Sequence, residues 1–237
     1  VKEQTICSVD LGINTDAVCT IMRPDGTILG RKFINFPSDK DRMYRVLGRI
    51  RRFQREHGSR QVQGRWAYAK RLNTELGKKI AREIVFYASE NRADVIVFEY
   101  LEMKGKLSGK KKQKLQMWRK RDIQKRCGQQ AHRKGIRISR ICAWNTSRLA
   151  FDGSGKIDRD IQDHRLCTFQ NGKRYNCDLS ASYNIGARYF IREILKPLPA
   201  TERSLLEAKV PAVKRRTSCV YADLRDLISE MELQKAA

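Results

Sequence analysis

Thr5-Ile-Cys-Ser-Val-Asp10-Leu-Gly-Ile-Asn14 is the stretch on which the reading of the fold turns. Its first half is an apolar run suited to a buried central strand, and a carboxylate stands at the strand's end with Gly12 close behind. A charge placed there costs on the order of several kcal/mol unless something compensates it. Two readings are open. Asp10 either closes a turn through its own backbone, as Asp-x-Gly does, or it is a metal ligand held on a rigid strand. Partners elsewhere in the chain decide between them.

Working outward, a second apolar run ends the same way. Asp94-Val-Ile-Val-Phe-Glu99-Tyr-Leu101 is continuous enough to be buried on both faces, as a parallel central strand is. A third acid opens a helix, Cys177-Asp178-Leu-Ser-Ala181-Ser-Tyr-Asn184-Ile-Gly186-Ala187, that runs to about residue 195. Asp178 near its start is favoured by the helix dipole, and Ala181, Ser182 and Gly186 let that turn lie close against a strand. Between the first two acids, residues 17–22 and 28–36 read as strands joined by the Pro24-Asp25-Gly26 turn, completing an antiparallel meander. Helices follow at 39–57, N-capped by Ser38, with an apolar face on Met43, Val46, Leu47, Ile50 and Phe53, and at 67–91, with one on Leu72, Leu76, Ile80, Ile84 and Tyr87. A helix at 114–134 precedes an alternating strand at 136–142. Residues 144–176 read as irregular, Pro197 and Pro199 stop the helix of Asp178, and a short helix spans 221–233.

The chain has 237 residues, 41% of them hydrophobic, so it can bury a sizeable core. Its net charge of +24 repels itself unless a polyanion is near, which points to nucleic acid. An anionic membrane is the weaker partner, since neither an amphipathic anchor nor a membrane-length apolar run accompanies the charge. The excess is local: residues 40–82 carry 14 Lys/Arg against three acids, and residues 104–140 carry 15 against Asp122 alone. A solvated face would account for some of this, but so lopsided a pair of stretches fits phosphate contact, with Arg49, Arg52, Arg55, Lys110, Lys111, Lys112, Arg119, Arg121 and Lys125 as the candidates. Trp66, Trp118 and Trp144 read first as core packing and second as base-stacking groups. Seven cysteines without a C-x-x-C pair fit reduced thiols in the cytoplasm better than a disulfide framework.

Three acids at two strand ends and one helix start would repel one another in the absence of a counter-charge. Hard oxygen ligands suit Mg2+ or Mn2+, and two such ions support phosphodiester hydrolysis. The order of elements, a meander, then helices, then parallel strands, matches an α/β, ribonuclease H-like fold, a mixed five-stranded sheet flanked by helices with basic helical insertions.

Ser8-Val-Asp10-Leu-Gly-Ile-Asn14, Val97-Phe-Glu99-Tyr-Leu101 and Asp178-Leu-Ser-Ala-Ser-Tyr-Asn184-Ile resemble the three RuvC motifs of TnpB and type V CRISPR (Cas12-type) effectors, which are RNA-guided DNA nucleases. The resemblance reaches to Phe190 and takes in Asn145-Thr-Ser147, which looks like the family's run into its zinc ribbon. It implies a catalytic, metal-binding triad of Asp10, Glu99 and Asp178, with guide RNA and target DNA as partners in a prokaryotic cytosol. It also implies four segments: a RuvC-like part at 1–143, a target-strand-loading ribbon at 144–177, the third-motif helix at 178–196 and a tail at 197–237. Two departures stand out. The positions matching the family's ribbon cysteines are Ala150, Gly153, Thr168 and Asn171, so the usual tetrahedral zinc site cannot form. His164, Cys167 and Cys177 are the substitute ligands, but a zinc-free loop packed by Trp144, Phe151 and Phe169 is the expectation. The chain also begins almost at the first motif, on Val1, so the family's wedge and recognition region is expected to precede it in a longer polypeptide. The alternative readings are a nuclease-weak or inactive RNA-guided DNA binder and, further off, a Holliday-junction resolvase.

Overall fold

Strand β1 (Ile6–Asp10) is the middle strand of a five-stranded sheet, and its neighbours explain why it is buried throughout. The computed structural model describes residues 3–58, 62–100, 120–215 and 217–236. Lys110, Lys111, Lys112, Trp118, Arg119 and the first part of the expected 114–134 helix lie outside the described residues. The sheet order is β3-β2-β1-β4-β5, with β2 (Ala17–Met22), β3 (Ile28–Ile34), β4 (Val95–Tyr100) and β5 (Arg137–Cys142). The β1-β2-β3 part is the expected antiparallel meander, and β4 and β5 add to β1 in parallel.

Helices cover both faces. Even-numbered residues of β1 and odd-numbered residues of β4 turn to one side, where Ile6, Val95 and Val97 pack with α4 (Cys177–Leu195), α5 (Ala200–Lys209) and α6 (Tyr221–Ala236). Cys7, Val9, Ile96 and Phe98 turn to the other, against α2 (Gln63–Glu90) and α3 (Lys120–His132). Helix α1 (Pro37–His57) packs on α2 through Met43, Ile50 and Ala69, and Trp66 joins that cluster as a packing group.

Local chemistry moved several boundaries. Helix α1 starts at Pro37, whose fixed φ suits a first helical residue, so Ser38 lies inside the helix and makes no capping bond. The cap position falls on Phe36, whose N–H donates to Asp16 Oδ2 at 2.8 Å. Residues 144–176 are not wholly irregular: β6 (Asp158–Arg159), β7 (Leu166–Thr168) and β8 (Arg174–Asn176) form a small antiparallel sheet. Strands this short show no period in the sequence.

Helix α4 touches the sheet through Asp178, Ser182 and Gly186, spaced four residues apart on one stripe. Ser182 Oγ and Thr20 Oγ1 are 2.6 Å apart. A Cβ on Gly186 would meet Met22 Cε at 2.8 Å and Ser8 Oγ at 3.2 Å. Gly186→Val is therefore expected to destabilise the fold by about 2–3 kcal/mol through overpacking. Thermal unfolding checks this, and an unchanged melting temperature would show that the helix has room to spare.

Candidate active site

The sheet register sets the first two acids side by side. Ile6 pairs with Val95, Ser8 with Val97 and Val9 with Phe98 across the parallel β1-β4 ladder, so the next pair in register is Asp10 and Glu99. Period-two alternation then turns both carboxylates to the α4 side, the side on which Ile6 and Val95 are packed. Asp178 arrives from that side in the first turn of α4, which Asn176 caps by accepting from Leu179 N–H at 2.9 Å. The three expected site residues are thus brought together by one strand pair and one helix end. The turn after β1 is tight: a Cβ on Gly12 would lie 2.4 Å from Thr15 O and 3.7 Å from Asp178 Oδ2.

The electrostatics follow from that convergence. Asp10 is 8% exposed and Glu99 9%. Burial, then the charges of Glu99 and Asp178, push the Asp10 carboxyl well above the usual carboxylate range, against Arg159 and Lys120. Glu99 is raised mainly by burial, opposed by a hydrogen bond from Thr146 Oγ1 and by the charges of Lys120 and Arg188. Asp178 is raised by burial, opposed by a hydrogen bond with Thr15 and by Arg159. Like charges gathered in a poorly solvated place favour the proton unless a cation replaces it.

Sequence reasoning missed four supporting residues. Thr15 and Thr146 each bond one acid, and Lys120 and Arg159 each lend positive charge to two. Arg159 comes from β6 and donates to Ser147 O at 3.2 Å. Gln124 Nε2 ties α3 to Glu99 O at 3.0 Å. None of these follows a recognisable spacing from the acids.

Three hard-oxygen carboxylates without soft ligands suit Mg2+ or Mn2+. Asp10, Glu99 and Asp178 are the residues that would hold them. Among the described residues no three His, Cys, Asp or Glu side chains converge closely enough to ligate one ion as they stand. Glu99 and Asp178 are each engaged by a threonine hydroxyl.

The candidate phosphate contacts that are described are all solvent-exposed: Arg49, Arg52 and Arg55 on α1, Arg121 and Lys125 on α3. Trp144 does not pack the ribbon as expected. It is 65% exposed, because Arg188 takes its carbonyl inward and leaves the ring outside. Phe151 and Phe169 do pack there, with centroids 5.7 Å apart, and Phe151 also meets Tyr175, Tyr183 and Tyr221. Asn171 Nδ2 donates to Asp152 Oδ2 at 3.0 Å, linking the two ribbon turns. Cys167 and Cys177 are buried neighbours, while His164 is exposed beside Asp160 O, so these three are not gathered into one ligand set.

Mixed sheet, strand order and acid placement together define a ribonuclease H-like α/β fold. No protein-family model matches the chain, and the comparison with curated proteins finds no match. Among solved structures it is similar to Cas12f1 in its complex with sgRNA and target DNA, with a TM-score of 0.61 and 19% identity over 76% of this chain and 49% of that one. It is also similar to C2c1 of Alicyclobacillus acidoterrestris with single-guide RNA, at a TM-score of 0.56 and 12% identity over 79% of this chain and 39% of that one. The mini-RNA-guided endonuclease Cas_phi3 gives a TM-score of 0.52 and 12% identity over 78% and 44%. The chain thus spans about half the length of the Cas12f1 chain and less of the other two, and the likeness is one of fold. Among the described residues no helix is long and apolar enough to cross a membrane.

Proposed function

We propose that the chain is the nuclease part of an RNA-guided effector, hydrolysing phosphodiester bonds of single-stranded or displaced DNA with the help of Mg2+ or Mn2+. The observation that supports this most is that Glu99 and Asp178 lie near enough to Asp10 for their charges to act on it, at one end of a sheet whose surroundings are strongly basic. When bound, a pair of divalent ions would supply Lewis-acid activation of the attacking water and the leaving oxygen. Asp10 and Asp178 flank that place from strand and helix, and Glu99 completes the ligand set. Arg159, close enough to act on both aspartates, is suited to hold the phosphate being cut. The arginines of α1 and the cations of α3 are suited to track the backbones of guide RNA and DNA without reading sequence. In this reading the ribbon uses no zinc: the Asp152–Asn171 bond and the Phe151 aromatic cluster take the place of thiolate ligands. All seven cysteines are thiols, in keeping with work in the cytosol.

The test is cleavage of a labelled single-stranded DNA as Mg2+ is titrated. Wild type is expected to cut, and Asp178→Ala to lose at least about a thousandfold in rate while keeping its salt-sensitive binding. Equal cleavage by both proteins would overturn the assignment. Binding without cleavage in the wild type would instead favour the inactive, RNA-guided binder.

A further inference from the structure

Helix α4 does more than deliver Asp178. Two turns further along, Asn184 is fully buried, and the three hydrogen bonds of its side chain all go to backbone. Its Nδ2 donates to Thr146 O at 3.0 Å and Leu149 O at 2.9 Å, and its Oδ1 accepts from Tyr221 N–H at 3.0 Å. One turn beyond, the buried Arg188 donates through Nη1 to Cys142 O at 2.9 Å and Trp144 O at 2.7 Å, and through Nε to Cys219 O at 2.8 Å. Both residues therefore grip the same loop, 142–149, between β5 and the ribbon. At the centre of that loop sits Thr146, 1% exposed, with its hydroxyl on Glu99 Oε1.

A threonine hydroxyl has one proton to give. Thr146 Oγ1 lies near both Glu99 and Ala143 O, 3.1 Å away, and the ionised carboxylate is the stronger acceptor. Whether the proton reaches Glu99 depends on where the loop is held, and Asn184 and Arg188 hold it. Arg188 also acts on Glu99 through its charge, and its Nη2 is buried with no hydrogen-bond partner among the described residues.

We propose that Asn184 and Arg188 are positioning residues that act through Thr146, setting the orientation in which Glu99 can take a divalent ion. The proposal rests on the metal-site reading above. Partners that orient a ligating carboxylate typically matter 10–100-fold in metal affinity, and they do so without touching the ion.

The experiment is Mn2+ binding by calorimetry on the whole chain, with thermal unfolding measured alongside. Thr146→Val, which keeps the shape and loses the hydroxyl, is expected to weaken Mn2+ by about 10–100-fold. Thr146→Ser, which keeps the hydroxyl, should bind close to wild type. Asn184→Ala should show a loss like that of Thr146→Val, and the double variant should be no worse than the weaker single, because both act on one bond. Should Asn184→Ala fail to fold, Arg188→Lys, which keeps the charge but cannot bridge Cys219 O to the loop carbonyls, is expected to show the same loss. Wild-type affinity in Thr146→Val, lowered stability without lowered affinity in Asn184→Ala or Arg188→Lys, or additive losses would each overturn the proposal. Asp10→Asn is the control: if it retains Mn2+ affinity, the metal site itself fails, and the positioning role falls with it.

Discussion

Replacing Asp10 with asparagine is expected to raise the melting temperature of the ion-free protein by about 4–8 °C while lowering Mg2+-dependent cleavage at least about a thousandfold. The two effects have one cause. Asp10 carries its charge into a place where burial, Glu99 and Asp178 all oppose it. Asparagine has the same shape and no charge, so the ion-free fold recovers on the order of 2 kcal/mol. The same change removes a hard anionic ligand, which no neutral amide replaces. Differential scanning calorimetry with a chelator, beside the cleavage assay, reads both. An asparagine variant that melts at or below wild type would show that the acids do not repel one another in the fold.

Acidification is expected to act on this site in the direction opposite to its action on the ordinary surface acids. The Asp10, Glu99 and Asp178 carboxyls all titrate higher in the fold than in the unfolded chain. Their contribution to stability is therefore fully present below the ordinary values of 3.8 and 4.5 and is lost as pH rises through the elevated ones. Asp163 has the reverse sign. Its bond with the Arg165 guanidinium holds it at about 2, so its contribution is present above 3.8 and is lost as pH falls towards 2. Subtracting the Asp10→Asn melting curve from that of wild type cancels such surface groups. The variant's advantage should be smallest near pH 4, grow towards neutrality, and disappear at neutral pH when Mg2+ is added, since the ion binds only the charged wild-type site. Cleavage should fall on the acid side across that same window. An advantage independent of pH, or one untouched by Mg2+, would exclude coupled carboxylates as its source.

What could be read from the sequence was whatever is carried by a period. Ile6 to Asp10 and Val95 to Glu99 have the continuous apolar character of central strands, and each ends on an acid, so two-thirds of the candidate triad was visible from patterning. Asp178 was visible because a helix with Ser182 and Gly186 on one stripe must lie close against something. The helpers were hidden for a different reason. Thr15, Thr146 and Arg159 reach the acids from turns and a two-residue strand, whose positions depend on the assembled fold. Lys120 looked like one cation among 15 in its stretch, and only burial beside Glu99 sets it apart. Trp144 was misjudged because aromatic content suggests burial, whereas here the backbone of that residue was the part needed inside. The first turn of α1 starts two residues earlier than an N-cap at Ser38 implies, because the fixed backbone of Pro37 suits the first helical position.

Helix α4 presents Asp178, Ser182 and Gly186 to the sheet and Asn184 and Arg188 to the loop behind Glu99. Two of the three acids are thus indexed to the same rigid rod, one at its tip and one through its flank. A sideways slip of that rod would disturb both at once. Transplanting the trio into another scaffold would require the strand pair, the rod and the loop as a single cassette, since the acids by themselves carry too little of the information that aligns them.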